Sequence, residues 1–238
     1  MKCSICEGTN VMSLGTVPFD RNNADVPIVN STPMEYTRCG SCDFVSCPEM
    51  LCWTPADLGA KVYNDEYIKY DPDYVETRPK NYAGFFAGLP AISPVGIRHL
   101  DYGSGSGAMS KELRSRRWDS ACYDPYSSST RPDGKFNFIT AIEVFEHSLD
   151  INETVADIKS FLEVDKGVVC FSTQLADCNT NIDWWYIGAR NGHISILSEK
   201  SMKIIATKHS LFFSSITPGI HLLQSKRSNY RGIFQRKL

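Results

Sequence analysis

The stretch Arg98-His-Leu-Asp-Tyr-Gly-Ser-Gly-Ser-Gly107 constrains this chain more than any other. A short apolar lead-in reaches Asp101 and passes into Gly103, Gly105 and Gly107, three glycines at alternate positions. Glycine takes positive φ without strain and has no Cβ, so such a turn lets a ligand approach the backbone closely. Ala108 to Arg117 then reads as a helix. Strand, glycine turn and helix form the opening unit of a nucleotide-binding α/β domain, although G-x-G-x-G is not the dinucleotide spacing.

The residues beyond Arg117 extend that unit. Ser120 to Asp124 reads as a second strand ending in an acid, about twenty residues after the glycine turn, where ribose hydroxyls find an acceptor. The apolar run from Phe136 fits a buried parallel strand and leads into Glu143-Val-Phe-Glu146-His147. Asp150 to Leu162 has helical periodicity, Gly167 to Gln174 reads as another buried strand, and the stretch from Ile220 reads as a last, antiparallel one. The segment from Pro125 to Lys135 is too short for a further helix and strand, so the sheet is expected to have fewer strands there and adenine contacts stay unassigned.

The chain has 238 residues, enough for one α/β domain and a small appendage. Its 25 basic and 27 acidic residues leave a net charge of −2, which excludes a bulk pull toward nucleic acid or membrane. The exception is a basic tail, Lys226, Arg227, Arg231, Arg236 and Lys237, read as serving solubility or a local anion contact. No apolar run reaches the roughly 18–20 residues that span a bilayer, and no secretory segment opens the chain. A cytosolic location with reduced cysteines is expected.

Four of the nine cysteines form two C-x-x-C pairs, Cys3/Cys6 and Cys39/Cys42. Two such turns can complete a tetrahedron of thiolates around one structural Zn²⁺ at about 2.3 Å. Gly40 suits the second turn, and Asp20 to Asp25 with Pro27 and Pro33 form the loop between the pairs. The alternative is a set of buried or redox-active thiols. Cys47 and Cys52 have the wrong spacing for one turn and read as small hydrophobes. The first 52 residues hold only Lys2, Arg21 and Arg38 as basic groups, a poor basis for phosphate contacts.

The form D-x-G-x-G-x-G from Asp101 resembles motif I of class I S-adenosylmethionine (SAM) dependent methyltransferases, and Glu-Val-Phe-Glu-His resembles their motif IV region. With the cysteine pairs and Trp184-Trp-Tyr…Gly-His193, the chain resembles bacterial methyltransferases that carry an N-terminal zinc-binding domain. The resemblance implies a Rossmann-like α/β sheet, shortened after the second strand, and a division into a zinc module 1–54, a tyrosine-rich bridge 55–90 and a SAM domain 91–238. It implies SAM contacts at Asp101, Gly103, Ser104, Gly105, Gly107, Asp124, Pro125 and Glu143, with Tyr67 and Tyr82, or Tyr63, over the methionine end. Packing between domains is the other reading of each tyrosine.

A hydroxyl acceptor must lose a proton, and histidine is the natural base at neutral pH. His193 is the first candidate as base or acceptor ligand, His147 the next, with Glu146 beside it. Glu143-x-x-Glu146-His147 also matches a divalent-ion pattern of some O-methyltransferases, which would make His147 a ligand. Trp184, Trp185 and Tyr186 offer faces to a ring, and Arg190 offers a fork to phosphate or carboxylate. Many members of that group act on nucleotide-linked deoxysugars or other surface-glycan precursors. The C-methylating ones are longer, which favours O-methylation of a sugar or phosphate-bearing small molecule. The expected partner is therefore a small molecule, not a membrane or nucleic acid. RNA or protein methylation and a non-catalytic SAM-binding scaffold are the rivals, and the oligomeric state is not legible.

Overall fold

A computed structural model of the chain describes residues 1–22, 26–89, 92, 94–127 and 130–225. The basic tail and part of the expected loops at 20–25 and 127–134 lie outside the described residues. The chain packs as two compact units, and neither is a continuous stretch of sequence. One comprises Met1–Pro72, Phe145–Thr154 and Gln174–Ile205; the other comprises Asp73–Val144, Val155–Thr173 and the chain from Ala206. The expected division at 54 and 90 runs along the chain, whereas burial groups residues that are far apart in it.

The first unit is built on a four-stranded antiparallel sheet of β1 (Val11–Pro18), β2 (Pro33–Cys39), β3 (Val45–Ser46) and β8 (Ser195–Ile196), in that order. Its core joins Val17, Met34, Tyr36, Met50 and Leu58 to Tyr186, Ile187, Ala189 and Ile194. The helix Pro55–Lys61 starts where Thr54 and Asp57 form a reciprocal capping box, with Pro55 at the first helical position. The Tyr70-Asp-Pro-Asp-Tyr74 stretch starts at the last residue of a short helix, Tyr67–Tyr70, and continues as a turn.

The second unit is a Rossmann-like α/β sheet in the order β5-β4-β6-β7-β10-β9. Its strands are β4 (Arg98–Tyr102), β5 (Asp119–Tyr123), β6 (Phe138–Ile142), β7 (Val168–Ser172), β9 (Phe212–Thr217) and β10 (Ile220–Gln224). β5, β4, β6 and β7 run parallel, and β10 is antiparallel to both β7 and β9. Every residue of β7 is buried, as a parallel strand covered on both faces requires. Phe86 on the helix Thr77–Ala87, Leu113 on the helix Ala108–Ser115, and Trp118, Phe138, Val168 and Leu222 share the core. β5 is an edge strand, and from Asp124 to Lys135 the described residues form no helix or strand. No helix among the described residues is long and apolar enough to cross a membrane.

Candidate functional site

The two C-x-x-C turns close in the same way. Glu7 N donates to Cys3 O at 2.9 Å, and Asp43 N donates to Cys39 O at 2.8 Å. Glu7 and Asp43, each just beyond a second cysteine, take φ of 60° and 56°. The sulfurs converge: Cys3 Sγ lies 3.6 Å from Cys42 Sγ, and Cys6 Sγ lies 3.5 Å from Cys39 Sγ. Four thiolates at about 2.3 Å from one tetrahedral ion would stand about 3.8 Å apart, so the set fits Zn²⁺. Cys3 and Cys42 share a hydrogen bond that pulls Cys3 down to about 5 and pushes Cys42 up. Gly40 is needed for space and not for φ: a Cβ there would collide with the Asn10 side chain. Cys47 is buried, and burial pushes its thiol up to about 11; Cys52 is exposed; neither joins the cluster.

In the other unit, Gly103, Gly105 and Gly107 have φ of 69°, 51° and 72°. Gly103 also lies against β6's exit, since a Cβ would fall 2.5 Å from Val144 Cγ2. Gly107 caps the helix Ala108–Ser115 in the left-handed region. Gly105 N donates to Asp124 Oδ2 at 2.9 Å, and Tyr126 N donates to Asp124 Oδ1 at 2.9 Å. Ser104 N donates to Tyr123 O at 3.3 Å, and Pro125 is exposed beside Asp124. Glu143 holds φ at 52°; its N–H donates to Ser172 Oγ at 2.9 Å, and Ser172 Oγ donates back to Glu143 Oε1 at 2.7 Å. Tyr82 is half-buried and hydrogen-bonds Ser172. A strained backbone, an open glycine turn (a Cβ at Gly105 meets nothing within 4 Å) and a half-exposed acid at the strand ends fit the SAM that the resemblance implies.

Beneath the turn runs a buried polar chain that sequence reading missed, because its members are scattered. Ser110 Oγ donates to Ala121 O at 2.8 Å, and Ser120 Oγ donates to Ser110 Oγ at 2.9 Å. His99 then joins Ser120 Oγ through Nδ1 at 2.8 Å and Thr140 Oγ1 through Nε2 at 2.9 Å. Thr140 Oγ1 lies 3.5 Å from Asp101 Oδ1. Burial pushes Asp101 up to about 7 and His99 down to about 3. The signs oppose. The folded state binds Asp101's proton more tightly, so that contribution falls as pH rises from about 4 to 7. The unfolded state binds the histidine proton more tightly, so the His99 contribution grows from about pH 3 to 6.5. Wild-type stability should be nearly flat where they overlap. In Asp101→Asn only the histidine slope remains, and urea midpoints should rise from pH 4.5 to 6.5; an unchanged profile would mean Asp101 titrates as an ordinary carboxylate.

The histidines meet in the first unit. Ile194 N donates to Glu146 O at 2.8 Å, which joins the strand β8 region to the 3₁₀ turn Phe145–His147. His147 Nδ1 lies 2.9 Å from Gly192 O, and His193 Nδ1 lies 2.6 Å from Tyr186 O. Tyr186 Oη donates to Glu146 Oε1 at 2.5 Å, and Glu146 is fully buried. The two imidazole centroids are 5.3 Å apart, and Tyr63 stands edge-on to His147 at 5.9 Å. Gly192 (φ +80°) permits this approach: a Cβ would lie 3.0 Å from His147 Nδ1.

Of the aromatic loop, Trp184 packs on the core, Tyr186 is buried and Trp185 is 56 % exposed. Arg190, expected on an acceptor's phosphate, points inward instead. It is 3 % exposed, its Nη1 donates to Val62 O at 2.6 Å and its Nη2 to Asn64 Oδ1 at 2.9 Å, over the Tyr70 ring. Tyr67, expected with Tyr82, belongs to the first unit, where its hydroxyl donates to Asn191 O at 3.3 Å. Two of the cysteine segment's cations hold the same loop. Arg21 donates to Ile182 O and Trp184 O, and Arg38 to Cys178 O and Thr180 O.

Comparison with known proteins adds a family. A profile described as a methyltransferase domain matches residues 74–210. No curated protein matches the chain in sequence. Solved structures resemble it distantly. One is an O-methyltransferase family protein from Burkholderia thailandensis, at 8 % identity and TM-score 0.48, covering 66 % of this chain and 59 % of that one. Another is the neocarzinostatin-biosynthesis O-methyltransferase NcsB1, solved with S-adenosyl-L-homocysteine and 1,4-dihydroxy-2-naphthoic acid, at 13 % identity and TM-score 0.46, covering 72 % and 61 %. A third is CalS10, an amino pentose methyltransferase from Micromonospora echinaspora, solved with SAM, at 11 % identity and TM-score 0.45, covering 63 % and 90 %. The chain thus spans about three fifths of the length of the first two.

Proposed function

This chain belongs to the methyltransferase-domain family; we propose that it is a SAM-dependent methyltransferase and methylates a hydroxyl oxygen of a small molecule, a sugar, nucleotide sugar or phosphate-bearing glycan precursor. Bound SAM supplies an activated methyl group on a sulfonium. The chain's own residues must bind, orient and free the acceptor of its proton. Asp124, oriented by the Gly105 and Tyr126 N–H groups, takes the ribose hydroxyls. Asp101, Gly103, Ser104, Gly107 and Pro125 shape the turn around it, with Glu143 and Tyr82 at the methionine end. Cys3, Cys6, Cys39 and Cys42 hold a structural Zn²⁺.

The observation that carries the hydroxyl reading is the gathering of Glu146, His147 and His193 within 4.8 Å. An amine acceptor, already nucleophilic when neutral, has less need of two oriented imidazoles and a buried carboxylate. Exposed Trp185 offers its face to a sugar or other ring. An RNA acceptor on the cysteine segment is disfavoured because Arg21 and Arg38 are committed to loop carbonyls and leave Lys2 as the remaining basic residue of 1–52.

Calorimetry with S-adenosylhomocysteine tests the cofactor half. Asp124→Ala should bind about 10–100-fold more weakly than wild type, as loss of charge-assisted hydrogen bonds predicts. Folded wild type that binds none would sink the assignment of this site. Transfer of labelled methyl to pooled nucleotide sugars and not to bulk tRNA is expected; the reverse would overturn the small-molecule acceptor.

A further inference from the structure

We propose that Glu146, His147 and His193 form a second metal centre, holding one divalent first-row transition ion that takes the acceptor hydroxyl as a ligand. One potential ligand atom from each residue lies within 4.8 Å of the others. All three belong to one compact unit. Both rings are pinned in one tautomer. A carbonyl can only accept, so His147 Nδ1–H donates to Gly192 O at 2.9 Å and His193 Nδ1–H to Tyr186 O at 2.6 Å. Each neutral ring therefore carries its lone pair on Nε2. Metal-ligating histidines almost always have their far nitrogen anchored in this way.

The carboxylate has the same outer support, since Tyr186 Oη donates to Glu146 Oε1 at 2.5 Å. Tyr186 thus orients two ligands at once, one through its hydroxyl and one through its carbonyl. A lone general base needs one imidazole; two imidazoles and a fully buried carboxylate are a 2-His-1-carboxylate donor set, which suits first-row divalent ions. Ligands at about 2.0–2.2 Å from one ion stand about 3–4 Å apart, and a ring nitrogen of each histidine and a carboxylate oxygen already lie within 4.8 Å of one another. The set differs from the contiguous Glu143-x-x-Glu146-His147 run. Glu143 is bonded to Ser172 in the other unit, and His193 is the third ligand.

Three protein ligands leave open positions for oxygen. A hydroxyl bound there becomes more acidic, as metal-bound water does, and gives its proton to solvent. An acceptor with a second oxygen on the neighbouring carbon would chelate. This purpose rests on the methyl-transfer reading above; the binding of the ion does not.

The test titrates Co²⁺ into zinc-replete protein, followed by calorimetry and visible absorption. One further equivalent should bind, with visible bands of nitrogen and oxygen ligation and without the near-ultraviolet thiolate band of a cysteine site. His147→Ala and His193→Ala should each weaken it at least tenfold, and His147→Gln and His193→Gln should do the same. Unchanged zinc content and melting in a variant show that it has folded. No added equivalent in wild type, a thiolate band, or binding that survives both histidine substitutions overturns the proposal. Cobalt binding without methyl transfer to any hydroxyl acceptor would leave the metal centre standing and overturn the functional reading instead.

Discussion

Replacing Cys39 with serine is expected to abolish the zinc binding proposed for the four cysteines and to lower the melting temperature by at least about 10 °C. The reason is that the first unit has little else at that end. Cys39 is both the last residue of β2 and the partner of Val11, where β1 begins. Cys3 and Cys6 lie shortly before β1, so an ion held by the four thiolates would tie the chain's start to the sheet's second strand. Structural zinc contributes an apparent ~10–16 kcal/mol in small metal-bound modules, comparable to a whole domain's stability of about 5–15 kcal/mol. Each kcal/mol moves a small domain's midpoint by about 4–8 °C, so even a quarter of that contribution is visible.

The damage should reach the aromatic loop. Arg38, next to the lost ligand, donates to Cys178 O and Thr180 O, and Ser198 Oγ donates to Cys42 O. Scanning calorimetry and a colorimetric zinc assay on Cys39→Ser and Cys52→Ser check this. Cys52 is exposed and outside the cluster, so its variant should keep both zinc and melting point. If Cys39→Ser loses zinc and melts like wild type, the ion does not hold the unit together.

Gly103→Ala should abolish cofactor binding and destabilise the second unit by about 2–4 kcal/mol. Two costs add. A residue with a Cβ at φ 69° pays about 1–2 kcal/mol for the left-handed conformation. The new methyl would also stand 2.5 Å from Val144 Cγ2, closer than any real contact, so the β6 exit must shift. That shift acts on Glu143, which precedes Val144 and already holds φ at 52°. Urea denaturation and S-adenosylhomocysteine calorimetry read the two effects. Adding Val144→Ala should restore part of the stability by relieving the clash, and none of the φ cost. A single variant as stable as wild type would show that the turn tolerates a Cβ.

Much of the second unit was legible along the chain. Glycines at alternate positions, an acid about twenty residues on and near-continuous apolar runs are local signals. Backbone φ, strand burial and crossover length tie each of them to a short stretch. The short connection after Asp124 likewise left no room for a further helix and strand there, and β5 lies at the sheet's edge. The convergence of the cysteine pairs could be read because a tight turn presents two thiolates at fixed spacing.

The amino-acid sequence by itself determined the Rossmann-like sheet, the glycine turn with its acid, and the two cysteine turns. Only tertiary structure decided what the aromatic loop does. Burial against Val17, Met34 and Met50 draws Tyr186 to Ile194 into the cysteine-bearing unit, and β8 completes its sheet. That packing sets His193 beside His147, turns Arg190 inward onto Val62 and Asn64, and leaves Trp185 exposed. Apolar area is buried without regard to separation along the chain, whereas motif spacing registers only neighbours. Hence the turns were written locally, and the three-residue cluster was assembled by the core.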